Sequence, residues 1–75
     1  MNYEEREKRI KEIMGEICNR LSEKKSLSLE EMSKPYRKSE EIGLCLMAFS
    51  RLEAEGIIAQ KLDDTWTISE RKIKN

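Results

Sequence analysis

A chain of 75 residues has room for one hydrophobic core, and at this size folding buries only about 60% of the surface the unfolded chain exposes, so several independent cores are excluded. Charged residues reach 40% against 37% hydrophobic, a balance that would suit disorder unless the apolar positions are periodic, as they are. Fifteen basic and fifteen acidic side chains cancel, which excludes the strongly positive field of most nucleic-acid binders and confines any such site to a local patch.

The N-terminal run Glu4, Glu5, Arg6, Glu7, Lys8 and Arg9 holds no continuous apolar stretch, so the expectation is neither a signal peptide nor a membrane span, and a cytoplasmic location. From Tyr3 to about Lys25, the residues Ile10, Ile13, Met14, Ile17, Cys18 and Leu21 recur three and four positions apart, the stripe of a single amphipathic helix. Its other face is charged, with pairs such as Glu4 and Lys8 or Glu7 and Lys11 one turn apart. Gly15 within it costs about 1 kcal/mol relative to alanine and points to a close helix crossing.

Ser26-Leu27-Ser28-Leu29 alternates polar with apolar, and 27–29 is expected to form a one-bridge strand beside a hairpin. Ser28 doubles as a helix cap, because Glu31 stands three residues on and each side chain can satisfy the other's free amide. A short helix over 29–34 follows, with Leu29 and Met32 turned inward. Pro35 disfavours helical geometry at Lys34 and ends it, leaving Lys34-Pro35-Tyr36-Arg37-Lys38 as a turn.

Ser39, with Glu40 and Glu41 behind it, starts a helix over 39–55 whose inward stripe is Ile42, Cys45, Leu46, Phe49 and Leu52. Gly56 stands where a left-handed cap closes it. Ile57 to Leu62 and Thr65 to Ser69 read as two strands about a two-residue Asp63-Asp64 turn, a hairpin over 57–69. With Lys61 opposite Trp66 and Ala59 opposite Ile68, its covering face is Ile57, Ala59, Trp66 and Ile68. Trp66 then serves as core or wing support, or else as an exposed reader. Residues 70–75 lack apolar support and are expected to fray. The fold class is α+β, in a single domain over 1–75.

This order of elements resembles the winged helix-turn-helix superfamily, and so in particular does Phe49-Ser50-Arg51-Leu52-Glu53-Ala54-Glu55-Gly56-Ile57-Ile58. Leu29-Glu30-Glu31-Met32-Ser33 is similar to the second helix of that superfamily. The likeness covers about residues 10–69 and departs from the usual pattern in the proline-containing turn. It implies three helices with a small C-terminal β-hairpin wing, and a small DNA-binding transcriptional regulator that works as a dimer, since one short domain makes few base contacts. Double-stranded DNA would be held by Lys34, Tyr36, Arg37, Lys38, Arg51, Gln60 and Lys61, with Arg71, Lys72 and Lys74 behind the wing. Tyr36 either donates to a phosphate or covers the helix junction.

The residues themselves leave a second class open. The outward positions of the 39–55 helix would be Glu40, Glu41, Gly43, Leu44, Met47, Ser50 and Arg51, where acids repel phosphates and only Arg51 is a long base-reading donor. Leu44 and Met47 as outward apolar neighbours suit a protein contact, so a protein-interaction or assembly module without direct DNA binding is the alternative. A homodimer is expected in the first case and a second copy or a different protein in the other. Neither catalysis nor a cofactor, metal, membrane or small-molecule substrate is expected. The chain has no histidine, Cys18 and Cys45 lie on different helices as reduced, packed thiols, and the pairs Glu30-Glu31, Glu40-Glu41 and Asp63-Asp64 diverge.

Overall fold

The structure, a computed structural model, describes residues 2–69. The expected frayed tail, with Arg71, Lys72 and Lys74, lies outside the described residues. The chain forms α1 (Tyr3–Lys24), α2 (Leu29–Ser33), a single 3-10 turn (Lys34–Tyr36), α3 (Ser39–Ala54), β1 (Ile58–Gln60) and β2 (Trp66–Ile68). Three helices and a two-stranded antiparallel sheet make it α+β. Among the described residues no helix is long and apolar enough to cross a membrane.

Helix α1 starts on a reciprocal cap that the sequence reading missed. Asn2 Oδ1 accepts from the Glu5 amide at 2.8 Å, while Glu5 Oε1 accepts from the Asn2 amide at 3.3 Å. The expected stripe buries Ile10, Ile13, Ile17 and Leu21, with Met14 and Cys18 packed at its edge. Gly15 marks no crossing. A methyl group there would meet nothing within 4 Å, because the residue sits on the solvent face. Gly15→Ala is therefore expected to stabilise the fold by about 1 kcal/mol, raising the melting midpoint by roughly 4–8 °C for a domain of this size. Calorimetry giving an unchanged or lower midpoint would contradict that.

The end of α1 is tied to the sheet. Lys25 takes a positive φ of 72°, its amide donates to the Leu21 carbonyl at 2.8 Å and its own carbonyl accepts from Thr67 Oγ1 at 2.7 Å. The expected 27–29 strand reduces to Leu27, which exchanges both backbone hydrogen bonds with Trp66 at 3.0 and 2.7 Å. Ser28 cannot extend the strand because it already caps α2, where Ser28 and Glu31 make the anticipated reciprocal pair at 2.9 and 3.1 Å.

In the five residues of α2 only Met32 faces the core. Leu29, expected inward, is 41% exposed, since it occupies the first position after the cap, at the rim of the helix. Nor does Pro35 force Lys34 out of helical geometry. Lys34 keeps φ −55°, ψ −43°, and the chain tightens into the 3-10 turn, where a proline near the start has no amide partner to lose. The missing Pro35 amide leaves the end of α2 short of a donor, and Arg20 of α1 supplies it by donating to the carbonyls of Glu31 and, at 2.9 Å, Met32.

Helix α3 is rotated from its expected setting. Leu44, Cys45, Ala48, Phe49 and Leu52 face the core, whereas Ile42 and Leu46 are 39% and 46% exposed. Both stripes satisfy a 3.6-residue period, and two features select the observed one. Ala48, fully buried, lets α3 approach closely, and ion pairs from α1 hold Glu41 and Arg51 on the flank of α3 that faces α1. The helix ends as expected on Gly56, at φ +76°, whose amide donates to the Glu53 carbonyl at 3.0 Å while Ile57 donates to that of Leu52 at 2.9 Å, the Schellman pairing.

The hairpin register lies one residue from the expected one: Ile58 faces Ile68, Ala59 faces Thr67 and Gln60 faces Trp66. The loop is Leu62-Asp63-Asp64 rather than Asp63-Asp64. Lys61 bonds both Asp64, by its carbonyl at 3.0 Å, and Thr65, by its amide at 2.7 Å, and Asp64 adopts φ 70°. Asp63 Oδ1 accepts from the Thr65 amide and hydroxyl at 3.1 and 2.6 Å, which fixes the longer turn. Ile58 and Trp66 are consequently the buried pair, Ile57 and Ile68 are half-buried, and Ala59 is exposed. Trp66 meets Phe49 edge to face, with ring centroids 4.6 Å apart and planes at 82°.

Candidate functional site

The rotation of α3 decides what the molecule presents to partners. Its outward centre carries Gly43, Leu46, Met47 and Ser50, with Ile42 on one flank and Glu40 and Arg51 on the other. Two adjoining hollows share Met47. One, about 290 Å³, is lined by Arg6, Glu40, Gly43, Leu44 and Met47; the other, about 310 Å³, by Leu46, Met47, Ser50 and Arg51. Leu44 is 5% exposed and forms a floor, so the expectation that it projects outward is corrected. Met47, at 38% exposed, lies where expected.

The expected base-reading donor is committed elsewhere. Arg51 Nη1 and Nη2 donate to the two oxygens of Glu7 at 2.8 and 2.5 Å, a two-pronged contact that pushes the guanidinium pKa up and the Glu7 carboxyl pKa down. Arg51 reaches a base only by leaving Glu7 unpaired. Arg9 is similarly gathered in by Glu41, Glu12 and Glu16 at 3.0, 3.2 and 3.3 Å. Tyr36 is no surface group. It is 3% exposed, its hydroxyl donates to Glu16 Oε1, and Arg9 lies 5.9 Å from its ring centroid, so the reading that it contacts DNA is overturned in favour of covering the helix junction.

Lys34, Arg37 and Lys38 are exposed before α3, and Arg37 has only a loose contact to Glu30 at 3.6 Å between two well-exposed side chains. Gln60 and Lys61 are exposed on the hairpin, where Gln60 reaches Asp64 at 3.4 Å. The hairpin tip beyond them is Leu62, fully exposed, and the acidic pair Asp63 and Asp64. A tip of that composition has one cation against two anions, a poor match for a phosphate backbone.

Sequence reasoning missed Arg6, Ile42 and Leu46 as surface-site residues. For Ile42 and Leu46 the signal was Ala48, which completes the alternative inward stripe. Cys18 and Cys45 are free thiols that burial pushes up in pKa, which makes them poor nucleophiles and packing groups first. Among the described residues no group of three or more histidine, cysteine or acidic side chains is arranged to hold a metal ion. Comparison of the chain with family models, with curated proteins and with solved structures finds no match.

Proposed function

We propose that the chain is a small, non-enzymatic binding module of winged-helix type, working in the cytoplasm, that docks on protein through the outward face of α3. The observation that carries this reading is the composition of that face: Ile42, Leu46 and Met47 are exposed around Gly43 and Ser50, and the long donor that α3 itself supplies beside them, Arg51, is tied to Glu7. A recognition helix for DNA needs the reverse, free amides or guanidinium groups aimed at base edges. Exposed apolar neighbours instead gain free energy by leaving water against another apolar surface.

Photo-cross-linking tests it. With Leu46 replaced by photoreactive benzoylphenylalanine, irradiation in the cells that make the chain is expected to give a protease-sensitive, nuclease-resistant adduct. An adduct removed by nuclease would overturn the reading.

A second reading, a DNA-binding transcriptional regulator, is favoured by the exposed cluster Lys34, Arg37 and Lys38 together with Lys61 on the hairpin. It expects affinity for duplex DNA that falls with rising salt by a slope equal to several phosphate contacts. On it, Arg37→Glu with Lys38→Glu weakens binding to all sequences alike and flattens the slope by about two phosphates. Titration of random-sequence duplex at low salt decides between the readings, since the α3 docking reading expects neither a steep slope nor a response to that double substitution.

A further inference from the structure

We infer that the occupant of the α3 face is a second copy of this chain, its α3 packed antiparallel to the first across a two-fold axis at Gly43, with Arg6 of each copy paired to Glu40 of the other. The inference rests on the docking reading above and names its partner.

Gly43 is the outward α3 position without a side chain, and a methyl group built on it meets nothing within 4 Å. Two helices related by a two-fold axis approach closest where their side chains are smallest, so Gly43 is the natural crossing point. The charges beside it then fall into place. Glu40 precedes Gly43 by three residues and Met47 follows it by four, so the two-fold carries Glu40 of one copy to within one residue, about 1.5 Å, of the level of Met47 in the other. Arg6 stands at that level, its Nη2 3.7 Å from Met47 Sδ.

Arg6 and Glu40 line the same hollow, yet among the described residues neither has an ion-pair partner within its own chain. The two-fold gives each one. On the other flank it brings Ile42 of one copy to within two residues, about 3 Å along the helix, of Leu46 in the other, so these exposed residues of one copy cover those of its partner. A single symmetric operation thus matches apolar to apolar and cation to anion, the self-complementarity that a closed dimer requires. Net charge adds no obstacle, since fifteen cations balance fifteen anions and two copies meet without overall repulsion. A contact built on one helix from each side is small, so the dimer is expected to be micromolar and in rapid exchange.

Sedimentation equilibrium on the full chain, from micromolar to millimolar protein, tests this. Concentration-dependent dimers are expected for the native sequence. Gly43→Leu should abolish them while raising the melting midpoint of the monomer, because the position is open and leucine is the better helix former. Arg6→Glu or Glu40→Arg alone should weaken the dimer at least about tenfold, and the two together should restore it. Circular dichroism checks that every variant stays folded. A native chain that remains monomeric, dimers indifferent to Gly43→Leu, or a double variant no better than the singles would each overturn the arrangement. The cross-link from position 46 separates the outcomes: an adduct with another protein removes self-pairing and keeps α3 docking, whereas a nucleic-acid adduct removes both.

Discussion

Trp66→Ala is expected to cost about 3–5 kcal/mol and to leave much of the chain unfolded near physiological temperature. At roughly 0.05–0.15 kcal/mol per residue, a chain of this length has only about 4–11 kcal/mol to lose. The size of the effect follows from how many elements meet at this residue. Its ring, 8% exposed, stands edge to face against Phe49 of α3, and its backbone carries both hydrogen bonds to Leu27, the bridge that attaches the α1–α2 connection to the sheet. Thr67, next along β2, bonds the carbonyl of Lys25 at the end of α1. A cavity under β2 therefore loosens the hairpin, the end of α1 and the approach to α2 together.

Urea unfolding followed by far-ultraviolet circular dichroism measures this. Trp66→Phe keeps an aromatic edge for Phe49 and should lose clearly less than alanine. A urea midpoint for Trp66→Ala indistinguishable from that of the native chain would mean that the hairpin covers the helices without bracing them.

The parts of the fold legible in the sequence are those set by residues close together in the chain. Ser28 and Glu31 signal their own cap, Gly56 its left-handed turn, and Ile10, Ile13, Ile17 and Leu21 have one way to face inward together. Where two answers satisfied the same local rule, the sequence did not choose. On α3 the stripes Ile42-Cys45-Leu46-Phe49 and Leu44-Cys45-Ala48-Phe49 differ by a modest rotation, and the decision came from α1, through the space Ala48 leaves and the ion pairs of Arg9 and Glu7. The hairpin register slipped by one for a similar reason. Asp63 and Asp64 both suit turns, and only the bonds of Asp63 to Thr65 distinguish a three-residue loop from a two-residue one. The surface site inherits the first of these errors, because a rotated helix exchanges the residues it hides for those it shows.

Tyr36 gives the second large effect and the clearest dependence on pH. Tyr36→Ala empties a buried aromatic site and is expected to cost about 3–5 kcal/mol; Tyr36→Phe removes only the hydroxyl bond to a carboxylate and is expected to cost about 1–3 kcal/mol. Burial first, and then the Glu16 carboxylate that accepts its hydrogen bond, push the phenol pKa well above its ordinary value of 10.0. The unfolded chain releases that proton at lower pH than the folded one. Stability from this group is thus fully present below pH 10 and declines as pH rises past it toward the folded value.

Stability of the native chain should accordingly drop more steeply above that point than stability of Tyr36→Phe, and the two curves should converge in strong alkali. Glu16→Gln keeps the burial and loses the neighbouring charge, so its alkaline decline should persist but become shallower. Denaturation midpoints measured across the alkaline range read all three. Parallel curves for the native chain and Tyr36→Phe would place the phenol in water, and with it would fail the junction between α1, the 3-10 turn and α3 that sets the rotation of the α3 face.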